Sequence, residues 1–249
     1  MQNVIKKSIM QEKNSKRYAL NYYKDEAESA GHFKLDTKIL DGLFKKKGKL
    51  FDSTMGRGRH VLHFAKKSFE VHGNDYNPFM IEMVREELLR NKLKARLYNL
   101  DATNLSKIKN NSFDYVICMY NSIGSIHRNK KRQKAINELG RIAKTGGIVV
   151  VHAHNIYSDL FRLTNILWTL KGFFPFRKEI EKGDYFFEHE SLDETYQHLF
   201  TLREMMNHIE NAGMKAEKII YLDKNQNRVY NGVLKHLISG GFVFVCRKI

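Results

Sequence analysis

Acidic residues follow three successive predicted strands, and the first of them opens a turn that contains glycines. The segment DSTMGRGRH, residues 52–60, lies between a predicted strand and a predicted helix. Glycines let the backbone approach a ligand closely, and a helix N-terminus offers free N–H groups and positive potential. Asp75 ends the second strand 17 residues after Gly58, a spacing that suits a carboxylate binding two ribose hydroxyls. Asp101 and Ala102 follow the third strand, within reach of an adenine amino group.

An alternation of strands and helices places these residues at one edge of a sheet. The predicted strands are KLFD, FEVHGND, ARLYNL, SFDYVICMY and GGIVVVHAH, and short helical segments connect them. The helix KRQKAINELGRIAK is expected to end at Gly146-Gly147. This order predicts an α/β fold with a doubly wound, mostly parallel sheet. The helix TLREMMNHIENAG and the strands MKAEKIIYLD and GGFVFVCRK then predict a C-terminal antiparallel pair, which completes seven strands.

The chain contains no evident linker, so we predict one domain over residues 1–249. It divides into an N-terminal helical arm (1–47), a nucleoside-binding core (48–154), a cap insertion (155–198) and a C-terminal helix and strand pair (199–249). The cap is rich in aromatic residues between 168 and 187. Three interpretations of that stretch stay open: a lid over a hydrophobic ligand, ordinary packing, or contact with a membrane surface.

Composition excludes several classes of protein. The 43 Lys and Arg residues exceed the 27 Asp and Glu residues by 16, so the surface attracts anions without specifying which. No apolar run approaches the roughly 20 residues of a membrane-spanning helix, and the N-terminus does not resemble a signal peptide. Cys118 and Cys246 lack zinc-site spacing, and we expect buried thiols on the fourth and last strands. A reducing cytoplasm is the simplest expected location.

Five segments in order resemble the class I (Rossmann-like) S-adenosylmethionine-dependent methyltransferases. FDSTMGRGRH is similar to that family's first motif, GNDYNPFMIEM to the second and LDAT to the third. FDYVICMYNSIGSI is similar to the fourth motif, and LGRIAKTGGIVVV resembles the stretch through the fifth strand. The resemblance covers residues 48–154 well and 200–248 more loosely. It implies S-adenosylmethionine as methyl donor and S-adenosylhomocysteine as product. No metal is expected, because no third ligand is identifiable beside His152 and His154.

The resemblance assigns cofactor contacts residue by residue. Asp52, Gly56 and Gly58 would shape the pocket for the methionine part, and Arg59 would hold its carboxylate. Around the nucleoside, the resemblance implies roles for residues after the second, third and fourth strands: Asp75 on the ribose, Tyr76 and Met80 beside the adenine, Asp101 and Ala102 on its edge, and Met119 and Tyr120 beside the sulfonium. Thr54 stands where the family usually has its first glycine; we expect binding to survive if its φ is negative.

Candidate acceptor-side residues follow the fourth and fifth strands. His152 and His154, two apart, point to one face, and Tyr120 and Asn121 begin the segment YNSIG. These four are the candidate catalytic residues, although methyl transfer chiefly needs alignment and uses a base only when the acceptor must lose a proton. The segment lacks the Asn/Asp-Pro-Pro-aromatic tetrad of enzymes that methylate base nitrogens. It looks more like the version in small-molecule members such as the glycine N-methyltransferase type.

These observations favour a cytoplasmic methyltransferase with a small or mid-sized acceptor, and both an anionic and a partly hydrophobic acceptor stay open. Five cations between residues 128 and 134 (Arg128, Lys130, Lys131, Arg132, Lys134) open the helix after the fourth strand. They support an alternative, an RNA methyltransferase with a basic rim, although such runs are usually a solvated helix face. A further alternative is a non-catalytic binding module that retains the fold.

Overall fold

The computed structural model describes residues 30–158, 180–189 and 192–249. The helices are α1 (Ala30–Leu43), α2 (Arg59–Lys66), α3 (Pro78–Arg90), α4 (Asn129–Ile142), α5 (Leu202–Asn211) and α6 (Lys235–Ile238), with a 3-10 turn at Ser122–Ser125. The strands are β1 (Lys49–Asp52), β2 (Glu70–Asn74), β3 (Arg96–Tyr98), β4 (Phe113–Cys118), β5 (Ala143–His154), β6 (Asp184–His189), β7 (Leu192–His198), β8 (Met214–Leu222) and β9 (Gly241–Lys248).

Seven strands form one sheet in the order β3-β2-β1-β4-β5-β9-β8. The first five are parallel to one another, while β9 runs antiparallel to both β5 and β8. The predicted doubly wound, mostly parallel sheet with a C-terminal antiparallel pair is therefore confirmed. Cys118 on β4 and Cys246 on β9 are buried free thiols, as predicted, and β5 lies between the two strands.

Side chains alternate between two apolar layers because successive residues of a strand face opposite sides of the sheet. One layer packs against α1, α2 and α3 and includes Val150 of β5 together with Leu40, Val61 and Val84 of the helices. The other layer packs against α4 and α5 and includes Val151. His152 and His154 share the parity of Val150, so they belong to the face that α1 covers.

Local signals explain where several helices begin. Asn77 caps α3, since its side chain accepts a hydrogen bond from the Phe79 N–H, and Pro78 occupies the first turn. Thr201 caps α5 in the same way, through the Glu204 N–H. The expected end of the α4 helix at Gly146-Gly147 is wrong. The helix ends at Ile142 because the backbone from Ala143 onward pairs with β4 in the sheet.

A separate antiparallel hairpin, β6–β7, belongs to the predicted cap. Phe200, just after it, bridges Asn155 at the end of β5, so the hairpin is attached at the carboxyl edge of the sheet. Tyr185 and Phe186 of the aromatic stretch lie on β6, whereas Trp168 and the run 172–176 lie outside the described residues. The same holds for residues 1–29 of the predicted N-terminal arm, while the helix expected before residue 47 is α1.

Candidate functional site

The turn between β1 and α2 is built around two left-handed glycines. Gly56 has φ 52° and Gly58 has φ 74°, a region that other residues rarely adopt. A Cβ on Gly58 would lie 2.7 Å from both methyl carbons of Val84 on α3, so no side chain fits. Asp52 is buried at the end of β1, and its Oδ2 atom has no hydrogen-bond partner; His60 Nδ1 is 3.6 Å away. The turn thus presents a close backbone approach beside a buried carboxylate.

Thr54 fits this turn without glycine's conformational freedom. It is not among the described residues with positive φ. Its N–H donates to Asp52 Oδ1 at 3.3 Å, and its hydroxyl lies 3.6 Å from the Cys118 sulfur. The departure from the usual glycine therefore does not distort the backbone of the turn.

Asp75 follows β2 directly and faces the same turn. Its Oδ2 accepts a hydrogen bond from the Gly56 N–H at 2.9 Å, and its Oδ1 accepts from the Asn77 N–H at 2.8 Å. Burial raises the pKa of Asp75 to about 6, although these two N–H groups oppose the rise. Each oxygen retains a further acceptor position. Nearby, Tyr76 is 60% exposed and Met80 is buried.

Asp101 and Ala102 lie beyond the end of β3, next to Asp75's loop. The exposed Asp101 carboxylate accepts from the Thr103 N–H at 2.8 Å, so it stabilises its own turn. Asn99 connects the two loops because its amide donates to the Asp75 and Tyr76 carbonyls, each at 2.8 Å. The structure thereby brings the predicted nucleoside residues to one edge.

Asn74, which the sequence analysis did not single out, joins all three loops of this edge. It is fully buried at the end of β2. Its side-chain amide donates to the Ser53 carbonyl at 3.0 Å and the Leu100 carbonyl at 3.1 Å, and its Oδ1 accepts from the Leu100 N–H at 3.0 Å. The only available signal was a polar residue ending a strand of buried type.

The end of β4 carries two consecutive non-glycine residues in the left-handed region, Tyr120 (φ 55°) and Asn121 (φ 53°). Such conformations persist where surrounding contacts fix them, and they are common at functional sites. The Tyr120 N–H donates to His152 Nδ1 at 3.2 Å. The Tyr120 ring meets the rings of His152 and His154 edge-on, at centroid distances of 6.5 and 6.0 Å. Met119, just before, is buried against the α1 layer.

Asn121 and the two histidines differ in their surroundings. Asn121 is fully buried: its amide donates to Gln197 Oε1 and the His198 carbonyl, and its Oδ1 accepts from the His154 N–H at 3.0 Å. Its side chain therefore connects the end of β4 to β5 and β7. His152 is also buried, whereas His154 is half-buried.

A second residue absent from the sequence analysis, Asp36 of α1, completes this side of the site. Its buried carboxylate lies 3.0 Å from Arg59 Nη2 and 3.9 Å from His152 Nδ1. The Arg59 guanidinium also lies 5.7 Å from the centre of the Tyr120 ring. Arg59, predicted to hold a cofactor carboxylate, thus already pairs with a carboxylate of the protein. No motif marks Asp36, because its partners come from distant parts of the chain.

Arg132 corrects the expectation of a continuous basic rim. It is fully buried, with Nη2 2.7 Å from Glu181 and Nη1 3.1 Å from the Tyr196 hydroxyl. The burial has a reason: this arginine pairs with the β6–β7 hairpin instead of facing solvent. Lys130, Lys131 and Lys134 remain exposed.

The same hairpin contributes a buried ionic network. His198 lies between Asp184 Oδ1 (2.8 Å) and Glu204 Oε1 (2.9 Å). Burial alone would lower the pKa of His198, but these two partners raise it above the usual value. Burial would raise the pKa of Glu204, yet hydrogen bonds with His198 and His208 lower it to about 2. Among the described residues, Glu181, Asp184 and His198 also bring atoms that could bind a metal ion within 4.8 Å of one another. These side chains already form hydrogen bonds and ion pairs within the protein.

No helix in the described parts of the chain has the length and hydrophobicity needed to cross a membrane.

Comparisons with known proteins find similarity to methyltransferases over the core of the chain. Residues 51–147 match the family model described as a methyltransferase domain. A glycine/sarcosine N-methyltransferase of Parasynechococcus marenigrum (strain WH8102) is 26% identical over 134 residues, which make up 54% of this chain and 47% of the relative. The chain therefore spans about half the length of that curated relative.

Solved structures share the fold over most of the chain. An S-adenosylmethionine-dependent methyltransferase from Methanosarcina mazei aligns with a TM-score of 0.68 and 20% identity, covering 85% of this chain and 97% of that one. A 1,6-didemethyltoxoflavin-N1-methyltransferase from Burkholderia thailandensis, solved with S-adenosylhomocysteine, aligns with a TM-score of 0.63 and 10% identity, covering 98% and 89%. At these identities the likeness concerns the fold, which is the class I Rossmann-like fold.

Proposed function

We propose that this chain, which contains a methyltransferase domain of the class I Rossmann-like fold, is an enzyme that transfers the methyl group of S-adenosylmethionine to a small-molecule acceptor. One observation carries the proposal: the hydrogen bond from the Gly56 N–H to the Asp75 carboxylate. It joins a glycine turn at the end of β1 to an acidic residue at the end of β2. Ligands of open α/β sheets bind at such carboxyl ends.

The residues at this edge fit the cofactor. A Cβ on the left-handed Gly58 would clash with Val84, so glycine is required there for the turn to pack against α3. The buried Asp52 Oδ2, which lacks a hydrogen-bond partner, can accept from an ammonium group. Asp75 can accept from ribose hydroxyls, and Asp101 with Ala102 would contact the adenine edge. Tyr76 and Met80 would flank the ring, and Thr54 and Met119 would line the methionine end.

The bound cofactor supplies a methyl group that is already activated by the sulfonium charge. The chain's own residues then need to align an acceptor and exclude water, and alignment is the larger part of the catalysis. Tyr120 at the end of β4 and the half-buried His154 at the end of β5 are the candidates nearest the acceptor. His154 could take a proton from an acceptor that must lose one.

A small-molecule acceptor is supported by two features. The segment after β4 turns tightly through Asn121 and the 3-10 helix, with neither proline nor an aromatic residue to stack a flipped base. In addition, the curated relative is named for glycine and sarcosine. The RNA alternative depends on the exposed cations of α4, a set that loses Arg132 to the interior.

Titration calorimetry with S-adenosylmethionine tests the cofactor assignment. Wild type is expected to bind, Asp75→Ala to bind at least tenfold more weakly, and Glu86→Ala, an exposed carboxylate on α3, to bind like wild type. No binding by wild type, with Asp75→Ala indistinguishable from it, would support a module without methyltransferase activity instead. Binding by wild type with equal binding by Asp75→Ala would refute the assignment of Asp75 to the cofactor.

Methyl transfer from labelled S-adenosylmethionine to a panel of small amines, acids and total RNA tests the acceptor. A small-molecule enzyme should change little in activity between 50 and 200 mM salt. An enzyme that contacts six or more RNA phosphates should lose roughly three orders of magnitude in affinity over that range. A steep salt dependence with RNA as acceptor would refute the small-molecule assignment.

A further inference from the structure

The backbone at the end of β4 is strained, and one of the groups that hold it is a side chain that can change its protonation. Tyr120 and Asn121 both adopt positive φ. Each such non-glycine residue costs about 1–2 kcal/mol, so neighbouring contacts must compensate. The Asn121 side chain supplies three hydrogen bonds to other segments. For Tyr120, one such contact is the hydrogen bond from its N–H to His152 Nδ1.

This hydrogen bond forms in only one protonation state of the imidazole. Nδ1 can accept from the Tyr120 N–H only through its lone pair, so the ring must be neutral with its proton on Nε2. A protonated His152 carries hydrogen on both nitrogens and cannot accept. Asp36 Oδ1, 3.9 Å from the same Nδ1, is the group that would then receive the Nδ1–H.

Among the described residues, few charged or titratable groups surround His152. Asp36 of α1, His154 of β5 and Tyr120 after β4 lie beside the ring, and Arg59 of α2 pairs with Asp36. From β9 the neighbours are Val243, its pairing partner, and Gly241, where an added Cβ would lie 3.1 Å from His152 Nε2. Of these described neighbours, Asp36 is the carboxylate that can accept from a protonated Nδ1, in the state in which Nδ1 no longer accepts from the Tyr120 N–H.

We propose that His152 is a positioning residue for the methyl-transfer site: as a neutral imidazole it holds Tyr120 in its left-handed conformation, and Asp36 draws it away when it is protonated. This inference rests on the proposed function, since Tyr120 is assigned to the sulfonium side of the cofactor site. It differs from a role as base, because the buried ring acts through its hydrogen bond with the backbone of Tyr120. It also assigns a function to Asp36, which no motif marks.

Two substitutions separate the role of Nδ1 from the role of ring volume. In His152→Asn the side-chain oxygen stands close to the position of Nδ1 and can accept from the Tyr120 N–H at every pH. In His152→Gln the polar atoms stand closer to Nε2, and that acceptor is lost. Asp36→Asn keeps the shape of the carboxylate and removes its charge.

The direct measurement is the amide signal of Tyr120 in protein labelled with ¹⁵N-tyrosine, assigned with Tyr120→Phe and followed from pH 5 to 8. In wild type the signal should shift as pH falls, and the protection factor of the amide, its exchange rate corrected for the intrinsic rate at each pH, should decrease. The pH-dependent shift should be absent in His152→Asn, and protection should fall roughly tenfold or more in His152→Gln at pH 8. In Asp36→Asn the midpoint should move to lower pH, because the imidazolium loses its carboxylate partner.

Binding of S-adenosylhomocysteine to the same variants is the functional readout. We expect His152→Asn to bind within about twofold of wild type and His152→Gln to bind roughly tenfold more weakly. Equal affinity and equal Tyr120 protection in both variants would overturn the inference while leaving the proposed function intact. Failure of wild type to bind would overturn the proposed function, and the Tyr120 titration would still decide whether His152 holds this backbone.

Discussion

Replacement of Asn74 by alanine should weaken both the fold and cofactor binding. The substitution removes three hydrogen bonds that span the loops after β1, β2 and β3. At about 1 kcal/mol of net stability for each bond, the free energy of unfolding should fall by about 3 kcal/mol. For a chain of this size, that corresponds to a decrease in Tm of about 6–12 °C.

The assays are thermal and urea denaturation, followed by calorimetry with S-adenosylmethionine below the lowered Tm. Affinity should fall by roughly tenfold or more, because the Ser53 carbonyl and the residue before Asp75 lose their common anchor. Asn74→Asp is a second variant: it retains the acceptor for the Leu100 N–H but faces two carbonyl oxygens with a carboxylate. It should be at least as destabilised as the alanine variant.

Asn91→Ala provides the matched control. Asn91 is an exposed asparagine at the end of α3 whose amide also donates to a backbone carbonyl, that of Glu87. Its replacement should change stability by less than about 0.5 kcal/mol and leave cofactor affinity unchanged. If Asn74→Ala were as stable as this control and bound the cofactor equally well, the assignment of Asn74 as the connection among the three loops would be wrong.

Three further predictions follow from single groups. Gly58→Ala should lower the free energy of unfolding by about 2–4 kcal/mol and abolish measurable cofactor binding, since it adds the clash with Val84 to the penalty of positive φ. Gly146 has a similar φ but open space around it, so Gly146→Ala should lower the free energy of unfolding by about 1–2 kcal/mol and bind the cofactor normally. The pKa of His198 is higher in the folded state than in the unfolded state, so its contribution to stability is complete below the unfolded pKa and is lost as pH rises through the folded pKa. The urea midpoint of wild type should therefore decline over this pH range. The same decline in His198→Gln would contradict the assignment. At pH values below about 6, Asp75 takes up a proton and loses acceptor capacity, so the affinity for S-adenosylmethionine should decrease there. An Asp75→Asn variant should bind weakly at every pH, without this dependence. Calorimetry across pH 5–8 measures both.

The features that the sequence predicts correctly depend on interactions between residues that are near one another in the chain. The glycine turn before α2, Asp75 seventeen residues later and the buried strands β4 and β5 are local patterns, and each has the element that its pattern predicts. The end of α4 was missed because pairing of Ala143 with Phe113 is a contact between distant segments, which outweighs the glycine signal. Arg132 was misplaced for the same reason: a cation on a helix faces inward only if partners elsewhere in the chain meet it.

The sequence by itself therefore determined the order of strands and helices and the residue types at the strand ends, because periodicity, caps and glycine conformations depend on near neighbours. The tertiary structure alone decided which side chains meet. It brought Asp36 of α1 to Arg59 and His152, connected three loops through Asn74, and placed Arg132 against the hairpin. Those contacts depend on burial, where an unpaired polar or charged group is costly, and burial is a property of the assembled fold.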